Sequence, residues 1–186
     1  GDFQWTNAAN WNNDDLPGVN NDIFPGVNDD VTINFGSNNF TVVHESGTDY
    51  IHSLTSSASL NVSGGELYVS ATSSIQGDLS LSATFGGSGN ISVSGLFKWT
   101  TGGGRTALRG ANGQGSLTVL SDSTLNSNGA VADFTLINAA TMIWNGGTVQ
   151  FYGTTSRFIN LEGATFDDQI DGAFGRHCRA ARTMTV

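Results

Sequence analysis

The sequence predicts an all-β chain: a right-handed parallel β-helix (β-solenoid) with an N-terminal cap. Three observations carry the prediction. Short β-forming runs of about four to six residues recur between turns of Gly, Asn, Ser, Asp and Thr, which is the pattern of a sandwich, a barrel or a solenoid. The runs fall into groups roughly 20 to 25 residues apart, the spacing of a coiled repeat. No segment carries apolar residues at helical period over three turns.

The elements follow in order. Residues 1–30 hold Trp5, Trp11 and both prolines, Pro17 and Pro25. In this segment PGVNND (17–22) returns as PGVNDD (25–30). Proline fixes φ while Gly and Asn accept positive φ, so the segment reads as turns. It is expected to cap the first coil, since an open strand edge invites aggregation. Residues 31–174 form the repetitive body. Its clearest runs are VTINF (31–35), FTVV (40–43), YIHSL (50–54), SLNV (59–62), ELYVS (66–70), LSLS (79–82), ISVS (91–94), LFKW (96–99), SLTVL (116–120), DFTLI (133–137), TMIW (141–144), GTVQF (147–151) and RFINL (157–161). In SLNVSGGELYVS, Leu60, Val62, Leu67 and Val69 alternate with Asn61, Ser63, Tyr68 and Ser70. One face then stacks inward and the other meets water. Corners are expected at Gly64–Gly65, Gly86–Gly87, Gly102–Gly104 and Gly146–Gly147, where glycine relieves left-handed backbone. The later runs carry more aromatics (Phe97, Trp99, Phe134, Trp144, Phe151, Phe158, Phe166), so the core is expected to widen there. Residues 175–186, GRHCRAARTMTV, form an atypical basic tail with no alternation. Their abrupt composition favours a change of reading frame over a native tail.

Composition narrows the function. Charged residues are 12% of 186, about half the usual share, and the formal net charge is −9. That balance opposes nucleic acid, which needs clustered Lys and Arg, and anionic membrane surfaces. It suits neutral carbohydrate, Ca²⁺ or simple solubility in a secreted protein. The single cysteine, Cys178, excludes an intramolecular disulfide framework. No stretch approaches the ~20 apolar residues of a membrane span. Polarity supplied by Ser, Thr and Asn is typical of exported solenoids.

The order of phrases carries a resemblance. WTNAANWNN (5–13) is followed by a Pro-Gly turn, by the acidic pair Asp29–Asp30 and by the strand from Val31. Then come Ile51–Leu54, SLNVSGGELYVS, GLFKWTTGGG, LINAATMIWNGGTVQF and FINLEGATFDDQIDGAF. Over residues 1–174 this resembles the autotransporter-passenger and filamentous-haemagglutinin-like β-solenoids of bacterial surface repeat proteins. The resemblance implies an exported or cell-surface location and a structural or adhesive role toward a glycan or cell-surface ligand. It also implies an array that continues into further coils, so self-association through an open C-terminal coil is expected. Enzymes also occur on such scaffolds, and a carbohydrate-active or other hydrolase is the alternative.

Four groups are candidates for chemistry. Asp14, Asp15, Asp22, Asp29 and Asp30 lie among asparagines and could supply the six to eight oxygens that Ca²⁺ wants. Asx turns would use the same residues without metal, and no cofactor is required by any motif. His44, Glu45, Asp49 and His52 are the densest acid–base group; HESGTDYIH is not the helical zinc motif, but a turn could bring the two histidines onto adjacent strands. Asp167, Asp168 and Asp171, with Glu162 near them and Arg157 to hold a uronate, could form a hydrolase pair across a glycosidic bond. Trp99, Trp144 and Tyr152, with Phe151, could stack on sugar if exposed, though such residues more often fill a core.

Overall fold

The computed structural model describes residues 2–11, 24–35, 40–101 and 106–170. These form a parallel β-solenoid of about seven turns. One short 3-10 turn, Ala8–Asn10, precedes the strands.

Each turn contributes one strand to each of three sheets. The first sheet stacks β1 (Asp30–Ile33), β4 (Ser53–Ser56), β7 (Ser73–Ile75), β10 (Asn90–Val93), β13 (Ser116–Val119), β16 (Thr135–Asn138) and β19 (Arg157–Asn160). The second stacks β2 (Thr41–His44), β5 (Ser59–Val62), β8 (Leu79–Leu81), β11 (Phe97–Thr100), β14 (Ser123–Ser127), β17 (Thr141–Gly147) and β20 (Thr165–Asp168). The third stacks β3 (Thr48–Ile51), β6 (Glu66–Val69), β9 (Thr84–Gly87), β12 (Ala107–Gly110), β15 (Ala130–Ala132) and β18 (Gln150–Tyr152). Neighbours in every sheet are three strands apart in the chain, and all the ladders between them are parallel.

Parallel register turns alternation in the sequence into columns in space. In the second sheet one inward column runs His44, Val62, Leu81, Trp99, Leu125, Trp144, Asp168. In the third, Asp49 is followed by Leu67, Phe85, Leu108, Val131 and Phe151. Leu60, Val62, Leu67 and Val69 are all buried, as their alternation predicts. The later aromatics Phe97, Trp99, Phe134 and Trp144 are essentially inaccessible. The longest step along the first sheet, from Ser92 to Thr118, falls in this region.

Three local expectations need correction. YIHSL is not one strand, because His52 forms the corner between β3 and β4; its N–H donates to the Asp29 carbonyl, and its carbonyl accepts from Ala71. Gly86–Gly87 is not a corner but the end of β9. A Cβ there would stand 2.0 Å from the Arg109 and Val69 carbonyl oxygens of the neighbouring rungs, so close backbone approach is what requires glycine. Gly146–Gly147 likewise closes β17, beside a register shift between Leu125 and Asn126. Gly64–Gly65 is a corner, with Gly65 at φ +68°. Gly102–Gly104, Phe174 and the tail lie outside the described residues. Strands β7, β9, β12, β14, β15 and β20 have no counterpart among the predicted runs. They are rich in Ser, Thr, Gly, Ala and Asn, and their pairing comes from the rungs on either side rather than from intrinsic preference.

At the N-terminal end, Phe3 to Trp5 lie along β2. Trp5 N–H donates to the Val43 carbonyl at 2.7 Å, and Val43 N–H donates to the Phe3 carbonyl at 3.0 Å. The Trp5 ring is fully buried in the core and meets Trp11 edge-on at 4.8 Å. Among the described residues no helix is long and apolar enough to cross a membrane, which does not bear on β-barrels.

Candidate functional site

The four residues of the densest acid–base group divide between separate contacts. His44 points inward from β2, and its ring is completely buried against Trp5, 5.8 Å away. Its Nδ1 lies 2.8 Å from the Gly64 carbonyl oxygen, which can only accept, so Nδ1 carries a hydrogen. Its Nε2 lies 2.8 Å from Asp49 Oδ2, and a proton on that contact keeps two lone pairs from meeting. Glu45 accepts from the Thr6 hydroxyl of the cap. His52 faces outward at its corner, with Nδ1 2.7 Å from Asp30 Oδ1. The expected convergence of the two histidines on adjacent strands does not occur. β2 and β3 belong to different sheets, and alternation sends His44 into the core while the corner sends His52 to solvent. His44–Asp49 is therefore a core pair with both ring nitrogens engaged, and His52–Asp30 is a surface pair.

The candidate metal ligands fare similarly where they are described. Asp29 Oδ2 accepts from Gly26 N–H at 2.6 Å and Asp29 N–H donates to the Gly26 carbonyl at 3.0 Å, so the side chain closes a local turn. Asp30 accepts from the Ser53 hydroxyl and from His52, and these two hydrogen bonds, Ser53 first, hold its carboxyl below the ordinary value of 3.8. Asp14, Asp15 and Asp22 lie outside the described residues. Among the described residues no group of three His, Cys, Asp or Glu side chains converges as a metal site.

The C-terminal acids sit on β20, where consecutive residues face opposite sides. Asp167 is in register with Ile143, and Asp168 with the buried Trp144. Asp167 accepts from Gln169 at 2.7 Å, and Asp168 accepts from the Ile170 N–H at 3.1 Å. Two carboxylates on opposite faces of one strand do not flank a common bond. Glu162 and Arg157 are exposed, and Asp171 lies outside the described residues.

The aromatic candidates divide by parity. Trp99 and Trp144 are inaccessible, because Lys98 and Ile143 hold the outward positions beside them. Neither indole can meet a sugar at the surface, and Phe151 is inward as well. Tyr152, by contrast, is 43% exposed on the outer face of β18.

That outer face of the third sheet holds residues the sequence analysis did not single out. Two outward columns run along it. One is Thr48, Glu66, Thr84, Ala107, Ala130, Gln150; the other is Tyr50, Tyr68, Gly86, Arg109, Ala132, Tyr152. An open cleft of about 610 Å³ follows the stacking axis from Glu66 to Tyr152. Its two ends are built alike. At one end the Tyr68 hydroxyl donates to Glu66 at 3.1 Å, and at the other the Tyr152 hydroxyl donates to Gln150. Tyr50 stacks on Tyr68 with ring centroids 5.0 Å apart and planes 17° from parallel. Between the ends the columns carry small side chains, and Arg109 alone reaches up, 3.9 Å from Glu66. Burial first, and then the hydrogen bond to Glu66, raise the Tyr68 phenol above its ordinary value of 10.0, so it remains a neutral donor. Gly129, also in the lining, lies so near Trp99 that a Cβ would stand 2.5 Å from the indole Cζ2. Alternation in ELYV and TDYI marks Tyr68 and Tyr50 as outward. Only register places them in one column with Arg109 and Tyr152.

Fold and cleft together define a parallel β-solenoid with an open cleft on the outer face of its third sheet. Comparison with protein-family models, with curated proteins and with solved structures finds no match.

Proposed function

We propose that this chain is a structural or adhesive module of an exported bacterial surface protein, holding a glycan or other polymeric surface against the outer face of its third sheet. The observation that carries this reading is the cleft from Glu66, to which Tyr68 is hydrogen-bonded, to Tyr152, which follows the axis over several turns. The first sheet supplies the contrasting background: an outward hydroxyl column of Thr55, Ser74, Ser92 and Thr118. Stacked rungs give a rigid, linear support, because each rung is held by both neighbours. The resemblance to bacterial surface repeat proteins in residues 1–174 supports the same role.

Retention on a panel of immobilised polysaccharides tests it. Binding is expected to persist as salt is raised, since hydroxyl and ring contacts are little affected by screening. Retention that vanishes in moderate salt, or no retention on any member of the panel, rejects the reading.

A further inference from the structure

Resting on that reading, we infer that the cleft on the third sheet is a binding site for a neutral, linear oligosaccharide lying parallel to the solenoid axis. The two tyrosines would close its ends, and the Glu66–Arg109 pair would hydrogen-bond its hydroxyls.

Shape sets the length of the ligand. Tyr68 and Tyr152 occupy one column with Gly86, Arg109 and Ala132 between them. Four rungs at about 4.8 Å each separate the tyrosines by roughly 19 Å. A single sugar meets one wall only, whereas a chain of several units meets both. The floor is flat because Gly86, Ala107 and Ala130 project little or nothing beyond the backbone. Stacked backbone keeps it rigid, so the ligand is ordered at small cost to the protein.

Chemistry sets the class. Tyrosine presents a flat apolar ring with a polar tip, which suits the apolar face and hydroxyl rim of a pyranose. The donors and acceptors of the cleft are balanced: Arg109 donates, Glu66 accepts, and Gln150, Asn128 and Thr84 are uncharged. The one positive side chain stands beside a negative one, so the site offers no net charge to an anionic polymer. The chain's net charge of −9 further opposes one. Long-chain lipids and apolar peptides are disfavoured, since the floor carries no large apolar side chain.

The test is calorimetric titration of the full chain with neutral gluco- and manno-oligosaccharides from disaccharide to octasaccharide, alongside oligouronates of the same lengths. Affinity for one neutral series is expected to rise with length until both walls are met, then level off. Tyr68→Ala and Tyr152→Ala should each weaken the longer ligands about tenfold and flatten the length dependence. Tyr152→Phe should retain stacking and most of the affinity, and unchanged circular dichroism shows that the variants fold. Tighter binding of the uronates overturns the inference of a neutral ligand. Neutral saccharides that bind equally well to Tyr68→Ala and Tyr152→Ala overturn the site while leaving the adhesive reading intact. Wild type that self-associates without saccharide, and loses this with Tyr152→Ala, makes a second copy the occupant and overturns the inference. No binding to any saccharide overturns both.

Discussion

The first turn of the solenoid and the turns stacked on it use the same columns for opposite chemistry. Val62, Leu81, Trp99, Leu125 and Trp144 are apolar and fully or almost fully buried, yet the column begins at His44. Leu67, Phe85, Leu108 and Val131 are equally apolar, yet their column begins at Asp49. Column position alone therefore decides which way a side chain points, but not what it must be. Interior rungs bury polar groups too, but small uncharged ones, such as the Thr106 and Ser127 hydroxyls 2.9 Å apart. From the end rung the His44 ring reaches the Gly64 carbonyl of the next turn, Asp49 of its own turn and Trp5 of the cap, so a hydrogen-bonded pair is satisfied there. At the far end the same column position is exposed rather than buried. Asp168 falls in the column of His44, and its carboxylate accepts from the Ile170 N–H.

The largest expected effect separates interior from end. Trp99→Ala should cost about 3–5 kcal/mol in denaturant unfolding, since it empties a fully buried rung in mid-stack. Because coupling is between nearest neighbours, it should lower hydrogen-exchange protection in the turns on both sides. Trp5→Ala should lose protection mainly in β1 to β3. Equal loss along the whole stack in both variants would break the distinction between end and interior.

Next in size is the pair itself. His44→Val alone should cost about 1–3 kcal/mol, because it leaves the Asp49 carboxylate half-buried without its partner. His44→Val combined with Asp49→Leu continues the columns of Val62 and Leu67, and should be neutral or stabilising by about 1 kcal/mol or more. A double variant less stable than the single one would show that the pair does more than end the core.

A comparable test at the C-terminal end uses Asn138. Its side-chain amide donates to Asn160 Oδ1 at 2.7 Å and to the Thr165 carbonyl at 2.8 Å, and its Oδ1 accepts from the Ala140 N–H at 3.2 Å. Asn138→Ala leaves those groups unpaired in a buried corner, with an expected loss of about 1–2 kcal/mol in the same unfolding measurement. Asn138→Asp should cost more, since its added carboxylate would face the Thr165 carbonyl.

The smallest effect is the surface pair. The folded-state pKa of Asp30 is depressed, so its contribution is present above the ordinary carboxylate value of 3.8 and is lost as pH falls through the folded value. Asp30→Asn should unfold slightly earlier than wild type at pH 7, and the two midpoints should converge as pH falls below 3.8 and through the folded value. A difference that persists undiminished at pH 2 would assign Asp30 a role beyond its hydrogen bonds.

The spacing of the runs pointed to the solenoid, and alternation by itself determined the inward residues of the runs it marked, because a strand's period of two is local and needs no partner to be read. It also held the answer on Trp99 and Trp144: in LFKW and TMIW, Lys98 and Ile143 take the outward places. Tyr152 could be singled out from the sequence as a surface aromatic, and alternation marks Tyr68 and Tyr50 as outward; that they share a column with Arg109 could not be read. The steps from Tyr68 to Gly86, Arg109, Ala132 and Tyr152 are unequal, so no fixed period links them. The polar strands, from β7 to β20, escaped for the same reason: their pairing is supplied by neighbouring rungs. Tertiary structure alone decided that His44 lies inside and His52 outside, and that Gly86 belongs to a strand. It also decided that two Tyr–Glx pairs close one cleft. Each of these depends on register between turns, which is set by how corners of different length bring backbone hydrogen bonds into line, and a sequence states those lengths without stating the alignment.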